Sequence, residues 1–441
     1  LNCNFENTLL YCNFDKKAVT SNFENTLTCK KNTLKTSLKI RKKLILICIA
    51  ICLFATIAII TIGCIAEEKP SKNQEEVEKE LEDNVQKNLD NLDLSKLELW
   101  AQQFEESFGS EELDKNISQL LGEVINGNYQ GDMSQFFSSL SRALGSGLLS
   151  IMPIFVTIVA ICVLFSLLEG MSSGFVAKPT KEIIYFVCYC AMIVIVMAKV
   201  SQLLFVTSKR LVQMKSLMEI VFPTLISFIT ILGGVSASVA FRPMMSVLTT
   251  LISIIAINVV LPLFIATMIF SIVGNLSSNI KLSKLTKFFK SCASVVLGGI
   301  FSVFITFLSF QGLTSSVSDS ISIKTLKFAM QSYVPVVGGY LSDGFDLMLA
   351  SIVLIKNSFG FVIMLLIFAT IFAPIVEIVL FSLGLKLVSG IVEPICDTRF
   401  SKMLYSISKN LNLLVATLIC VGFMFLATVF LLLCCFNLGA L

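Results

Sequence analysis

Histidine is absent from this chain of 441 residues, and tryptophan occurs once, at Trp100. Without histidine no Ser-His-Asp triad and no histidine-ligated zinc site can form, and the side chain most used to move protons near neutral pH is missing. Charged residues are also scarce, at 15% of the chain against about 25% in a typical soluble domain. The composition therefore excludes histidine-dependent hydrolases and is unlike that of a soluble protein.

Cysteine is present at 14 positions, but no two are spaced as a Cys-x-x-Cys pair. Most cysteines lie within apolar runs, where a free thiol behaves as a small apolar side chain. We therefore expect packing rather than a disulfide framework or a metal site, and no cofactor is predicted. The cysteines in apolar runs are Cys48, Cys52, Cys162, Cys188, Cys190, Cys420, Cys434 and Cys435.

Long uncharged runs recur from residue 143 to the end of the sequence. A hydrocarbon layer of about 30 Å needs about 20 apolar residues to cross it, and the run from Pro243 to Ile280 exceeds that length. Further runs cover residues 143–168, 183–198, 220–241, 291–318, 357–376 and 410–441. We predict an all-α, polytopic membrane protein with about seven to eight transmembrane helices after an N-terminal signal or anchor, and residues 143–441 as its multi-pass domain.

The run from Pro243 to Ile280 decides the predicted topology. Basic loops favour the cytoplasm, and a single pass here would leave the lysines that follow it outside. A hairpin near Asn258 to Pro262 would return them to the cytoplasmic side and gives eight passes after the signal. In that arrangement Lys199, Lys209, Arg210, Lys215, Lys324 and Lys327 lie outside and disagree with the rule.

The N-terminus divides into two predicted segments. Residues 1–43 repeat Asn-Phe-Glu-Asn-Thr-Leu at positions 4–9 and 22–27, and we interpret them as an over-called or disordered extension, with a regulatory tail as the alternative. Residues 44–66 follow a basic cluster and carry the apolar core of an export signal. Ala66 permits cleavage, but the core is also long enough to remain as an anchor.

Residues 67–142 are predicted to form a small, acidic, helical extracytoplasmic region. Residues 67–145 contain 18 acidic and 7 basic residues, whereas residues 146–441 contain 9 acidic and 18 basic ones. Apolar residues recur at helical spacing between Glu75 and Phe108, so at least part of this head is helical. It is either a solvated spacer or a docking helix pair, and Trp100 either packs internally or rests at the membrane interface.

Two apolar segments contain proline followed by paired glycines, a pattern that predicts interrupted helices. Irregular backbone at membrane depth survives only beside protein or a wet cavity, so a pore or cavity is one interpretation. Helix packing through small residues is the other. The positions are Pro223, Gly233 and Gly234 in the first segment, and Pro335, Gly338 and Gly339 in the second.

Isolated charges within or beside apolar stretches are the remaining candidates. Lys356, Glu377 and Lys386 are candidate intramembrane charges, with Glu377 paired to either lysine, unless they mark loop ends. Lys199 and Glu219 are interpreted as interfacial, with Lys199 snorkelling to the headgroups. A strip of lysines at spacing three predicts a short interfacial amphipathic helix that anchors the chain beside anionic lipid of the bilayer, or contacts a cytoplasmic partner. The strip consists of Lys281, Lys284, Lys287 and Lys290.

Several motifs occur in a specific order: Gly233 to Ser238 leading to Phe241-Arg242-Pro243, then Gln311 to Thr314, Asp319 to Ile321, Lys324 to Phe328, Val334 to Gly338 and Leu354 to Asn357. In this order and spacing the chain resembles the stage III sporulation protein AE family of endospore-forming bacteria. The likeness begins near Leu92, continues to the C-terminus and does not include residues 1–43. An export signal, a helical head and several membrane passes are also that family's layout.

The resemblance implies a subunit of the channel, or feeding tube, that joins the mother cell and the forespore and is required for forespore development. It implies a location in the outer forespore membrane, on the mother-cell side. The implied partners are the other proteins of the stage III sporulation A operon, including a secretion-type ATPase and ring-forming proteins, and indirectly a forespore-side membrane protein. A stand-alone secondary transporter of a small solute is the alternative. An enzyme or a nucleic-acid-binding protein is not expected.

Overall fold

The computed structural model describes residues 95–106, 133–172, 178–232, 235–276, 282–314, 328 and 338–434. The chain divides into two units, Leu1–Asn73 and Gln74–Leu441, and every described residue belongs to the second. The predicted extension and signal therefore lie outside the described residues. The helices are α1 (Ser95–Glu106), α2 (Met133–Ser172), α3 (Lys178–Ile231), α4 (Val235–Ile255), α5 (Leu261–Leu276), α6 (Ser283–Thr314), α7 (Gly338–Val392) and α8 (Thr398–Cys434).

The membrane body is all-α, as predicted. Six candidate membrane spans occur among the described residues: Gly147–Glu169, Glu182–Ile231, Pro243–Leu276, Ser283–Ser309, Gly344–Val392 and Thr398–Cys434. Two of them are far longer than one crossing requires. The helices that contain them, α3 and α7, have 54 and 55 residues, so each is about 80 Å long at 1.5 Å per residue.

The predicted hairpin near Asn258 to Pro262 is wrong. A five-residue π-helical turn, Ala256–Val260, joins α4 to α5, and the flanking residues Ile255 and Leu261 keep right-handed helical backbone angles. Proline lacks an N–H group and its ring crowds the carbonyl four residues earlier, which for Pro262 is Asn258. A π-turn widens the backbone at that place and absorbs the conflict without reversing the chain. Residues 243–276 therefore form one span.

The α7–α8 hairpin forms the best-packed part of the body. Ser382 Oγ donates to the Ser408 carbonyl at 3.0 Å, and Ser408 Oγ donates back to the Ser382 carbonyl at 2.9 Å. Seven residues later on α7 and seven residues earlier on α8, Ser389 Oγ donates to the Ser401 carbonyl at 2.9 Å. Small side chains let the two backbones approach closely, and their hydroxyls bond across the seam, which is how helices associate where water is absent.

Three chain connections meet at one end of the bundle, here called the Tyr185 end. Tyr185 Oη donates to the Asn275 carbonyl at 3.4 Å, and Tyr189 Oη donates to the Ile272 carbonyl at 2.9 Å, so two tyrosines of α3 reach the last turns of α5. Phe165 of α2 and Phe400 of α8 contact the Tyr185 ring, with centroids 6.2 and 5.0 Å away. The α2–α3, α5–α6 and α7–α8 connections therefore lie at the same end.

Between two contacts that α3 and α7 share, the segment of α3 is longer than the segment of α7. Lys199 contacts Glu377, and Phe228 contacts Phe359 with ring centroids 6.0 Å apart. The two contacts are 29 residues apart on α3 but 18 apart on α7, or about 44 Å against about 27 Å of helix. The two helices are antiparallel, and α3 must cross α7 obliquely or bow away from it between these contacts.

Candidate functional site in the membrane body

A buried ion pair joins α3 to α7. Lys199 Nζ lies 2.7 Å from Glu377 Oε1 and also donates to Gln202 Oε1 at 3.2 Å. The side chain of Lys199 is 7% exposed and that of Glu377 is 27% exposed. Both residues lie inside apolar spans, where a charge is costly unless it is paired. The pair neutralises both charges, and Lys199 is the more deeply buried of the two partners.

The partner of Glu377 differs from the one the sequence predicted. Neither Lys356 nor Lys386 forms this pair, and Lys199 is buried rather than snorkelling at an interface. The interfacial interpretation assumed that a membrane span ends near residue 198. In the structure α3 continues through that position, so Lys199 lies in the interior and depends on α7 for its counter-ion.

Lys356 stabilises the C-terminal end of α8. Its side chain is fully buried, and its Nζ donates to the Leu433 carbonyl at 3.1 Å. Helix α8 ends at Cys434, so Leu433 is among the last carbonyls of a helix, which lack partners within it. A cation there also interacts favourably with the helix dipole. Lys356 is therefore an internal residue of α7 and not the mark of a loop end.

Lys386 lies on α7 between Ser382 and Ser389, the two serines that bond to α8. Its side chain is half-buried. Lys386 is six residues before the C-terminal end of α7 at Val392, close to the Tyr185 end. The three candidate charges are thus spread along α7, and only Glu377 takes part in an ion pair with α3.

The middle of α3 is polar and packs against the head. Trp100 is 5% exposed and its Nε1 donates to the Gln213 carbonyl at 3.1 Å. Arg210, also buried, donates to Gln213 Oε1 at 2.8 Å. The single tryptophan therefore packs internally, and α1 is attached to α3. Lys215 and Glu219 form an exposed pair at 3.4 Å on the same segment.

Three of the six proline and glycine candidates belong to described helices. Pro223 is exposed within α3, which continues through it to Ile231. An exposed proline loses one backbone bond but leaves the freed carbonyl accessible. Gly338 and Gly339 begin α7, whereas Gly233, Gly234 and Pro335 lie outside the described residues. The break between α3 and α4 therefore falls between Ile231 and Val235.

The lysine strip occupies the first turns of a long helix. Lys284, Lys287 and Lys290 belong to α6, which runs unbroken from Ser283 to Thr314, and Lys281 lies outside the described residues. Lys284 and Lys287 are exposed and Lys290 is half-buried. The structure does not separate the strip from the apolar span that follows it.

A charge cluster at the Tyr185 end was not predicted. Arg399 donates from Nε and Nη2 to Asp397 Oδ2 at 3.0 and 2.9 Å, and its guanidinium lies 4.0 Å from the centre of the Tyr185 ring. Burial acts to raise the pKa of Asp397, but the hydrogen bonds and charge of Arg399 outweigh it and hold the pKa below its usual value. Glu169 and Glu182 line the same small pocket. The aromatic, acidic and arginine side chains of this cluster come from distant parts of the sequence, so only the fold shows that they are close together.

Comparison with known proteins gives a consistent result. A sequence model described as stage III sporulation protein AE matches residues 115–435. The chain is 22% identical over 305 residues to a Bacillus subtilis (strain 168) protein named "Stage III sporulation protein AE", and the alignment covers 69% of this chain and 76% of that protein. No solved structure matches the chain. Since the family match covers α2 to α8 with all six candidate spans, the chain belongs to the stage III sporulation protein AE family.

Proposed function

We propose that this protein is a non-enzymatic channel or export-apparatus subunit of the complex that joins the mother cell to the forespore. Its membrane body provides or scaffolds a conduit in the outer forespore membrane, and its acidic head docks onto ring-forming partners. The other partners are the remaining products of the stage III sporulation A operon, with a secretion-type ATPase on the cytoplasmic side. The observation that carries this proposal is the family match over residues 115–435.

The distribution of charge supports an orientation for the subunit. The segments that meet at the Tyr185 end, residues 169–185, 272–290 and 386–409, contain ten basic and four acidic residues. Basic residues flanking membrane spans favour the cytoplasm, so we place the Tyr185 end there. The start of α2 then faces the opposite side, together with the head that precedes it.

This orientation removes most of the disagreement in the predicted topology. Because α3 is one helix, a single pass through α4 and α5 returns the lysine strip to the cytoplasmic side without a hairpin. Lys199, Lys209, Arg210 and Lys215 then lie within a helix and not in an external loop. Lys324 and Lys327 remain external, outside the described residues.

Cysteine labelling from each side of the membrane tests the orientation. In a cysteine-depleted protein, we expect a cysteine at Leu285 to react only with reagent that reaches the cytoplasm. A cysteine at Tyr340, in the first turn of α7, should react from outside. Labelling of Leu285 from outside would refute the orientation but would leave the family assignment untouched.

The rival function is a secondary transporter that works alone. A transporter should move solute when reconstituted without partners, and replacing Glu377 should abolish that flux. A channel subunit should instead need its co-expressed operon partners. In its own host, deletion of the gene should block forespore development after engulfment and be rescued by the intact chain; normal spore yield in a strain with no second copy would overturn the proposed function.

A further inference from the structure

The lysine strip forms a surface together with α8, here called the α6–α8 seam. Lys290 Nζ donates to the Lys409 carbonyl at 2.6 Å and to Asn410 Oδ1 at 3.1 Å. Further along, the rings of Phe301 and Phe423 lie 5.8 Å apart. In both contacts the residue of α8 comes about 120 positions after its partner in α6. The two helices therefore run parallel, and both begin at the Tyr185 end.

Positive charge accumulates at the beginning of the seam. Lys284 and Lys287 of α6, and Lys402 and Lys409 of α8, are all exposed. Neither helix contains an acidic residue. Asp397, the acid nearest along the chain, is bound by Arg399. Lys402 interacts electrostatically with Asp397, but no ion pair joins Lys284, Lys287 or Lys409 to an acidic residue among the described ones. The positive charge at the start of the two helices therefore favours an anion there.

A hydrogen-bond donor in the same seam points to a ligand with acceptor oxygens. Asn410 is 4% exposed, and its Nδ2 has no acceptor among the described residues although its Oδ1 accepts from Lys290. An unsatisfied buried donor is costly. A phosphate oxygen beside Lys290 and Lys409 would supply the missing acceptor after a small adjustment of these side chains.

The surface beyond the lysines is apolar and exposed. On one face of α6 the side chains of Phe288, Val295 and Val303 are 59%, 64% and 65% exposed. Only 17% of the apolar span of α6 is buried, the smallest share of the six candidate spans. Tyr405, between Lys402 and Lys409 on α8, is 53% exposed, and tyrosine is typical of the headgroup level. Lys284, Phe288 and Val295 follow one another at spacings of four and seven, so the apolar strip begins beside Lys284. It lies on the face of α6 next to the seam and not between the two helices, where hydrocarbon chains can cover it.

We propose that the lysines at the start of the α6–α8 seam bind the phosphate of an anionic phospholipid, whose acyl chains run along Phe288 and Val295 on the exposed face of α6 beside Lys284. Basic pockets between transmembrane helices recognise anionic headgroups in this way. An acidic protein would satisfy the lysines but would leave the apolar strip to lipid. The continuity of charge and apolar surface favours one ligand that has both parts.

Fluorescence quenching by brominated lipids tests the proposal on the full-length protein. The reporter carries Trp100→Phe and Tyr405→Trp, so its one tryptophan lies at the seam. One set of vesicles contains brominated phosphatidylglycerol with unlabelled phosphatidylcholine, and the other contains brominated phosphatidylcholine with unlabelled phosphatidylglycerol. Comparing the quenching in the two sets gives the ratio of the binding constants of the anionic and the zwitterionic lipid at the seam, and we expect this ratio to be about three to ten. Adding Lys287→Gln, Lys402→Gln and Lys409→Gln should bring that ratio close to one. Because Lys409→Gln changes only the side chain, the backbone carbonyl that accepts the hydrogen bond from Lys290 is kept in this variant.

Two controls separate the seam from general charge effects. A reporter with Phe205→Trp, at a side chain of α3 that is 70% exposed, should show a ratio close to one. Replacing three lysines of α3 instead, Lys178→Gln, Lys181→Gln and Lys209→Gln, should leave the ratio at the seam unchanged. A ratio near one at Tyr405→Trp in the parent would overturn the proposal. The proposal would also be overturned if both lipids quenched the reporter equally and the lysine variant lost an acidic partner protein. That outcome would make the seam a protein-docking surface.

Discussion

Glu377→Gln is expected to destabilise the membrane body by about 3 kcal/mol, because it leaves the buried Lys199 without its counter-ion. At the observed 2.7 Å and an effective dielectric constant of about 20, the attraction is about 6 kcal/mol. Desolvation of the two groups offsets much of that, and removing one partner of a buried pair costs about 3–5 kcal/mol. We take the lower end since Glu377 is 27% exposed.

A matched control lies on the same helix. Lys215 and Glu219 form an exposed pair at 3.4 Å, and an exposed pair of this spacing contributes only about 0.3–0.5 kcal/mol. Glu219→Gln therefore changes the same functional group with a small expected loss. The double variant Lys199→Met, Glu377→Met should recover most of the loss seen in Glu377→Gln, because apolar side chains of similar volume replace a buried pair at little cost.

The free energy of unfolding is measured by titrating the purified protein out of mild detergent with sodium dodecyl sulfate, following helix content by circular dichroism. Glu377→Gln should unfold at a clearly lower fraction of sodium dodecyl sulfate than the parent and than Glu219→Gln. If Glu377→Gln and Glu219→Gln lose the same stability, the pair does not hold α3 to α7 and our reasoning fails. The reasoning would also fail if the double variant Lys199→Met, Glu377→Met were less stable than Glu377→Gln.

Two further predictions concern α7 and the turn that follows it. A Cβ atom at Gly384 would clash with the Phe155 ring, whereas one at Gly390 meets nothing within 4 Å. Gly384→Ala should therefore destabilise the protein by about 1–3 kcal/mol through overpacking. Gly390→Ala should be neutral or stabilise it by up to about 1 kcal/mol in the same titration. Because Arg399 lowers the pKa of Asp397, the stability that this carboxylate adds is present above its unfolded pKa of about 4 and lost as pH falls through the folded value. Asp397→Asn should narrow the difference in unfolding midpoint between pH 5 and pH 3, and an unchanged difference would contradict the assignment.

The all-α, multi-pass body could be predicted from the sequence, because long uncharged runs are a local property that lipid demands directly. The course of α3 could not. The charged residues between Lys199 and Glu219 are typical of a loop, and the burial of Lys199 depends on Glu377, which lies 178 positions further along the chain. Asn258 and Pro262 are likewise turn residues by composition, and only the packed helices on either side turn them into a π-bulge.

Part of the site has a signal in the sequence itself. Ser382 and Ser389, and Ser401 and Ser408, are each seven residues apart, which places them on one face of a helix near the two-helix connection. That spacing predicts a polar seam between α7 and α8. No spacing rule, however, assigns Lys356 to the end of α8, since the contact joins the first half of one helix to the last turn of another.

The contact between Lys356 and the Leu433 carbonyl also constrains how the protein is made. Its acceptor is one residue from the end of α8 at Cys434, so α7 enters the bilayer during translation before this acceptor exists. Until residue 433 is synthesised, the ammonium group cannot make this hydrogen bond to α8. A chain that stops before residue 433 would lack this acceptor, and quality-control proteases that recognise exposed intramembrane charge would be expected to remove it.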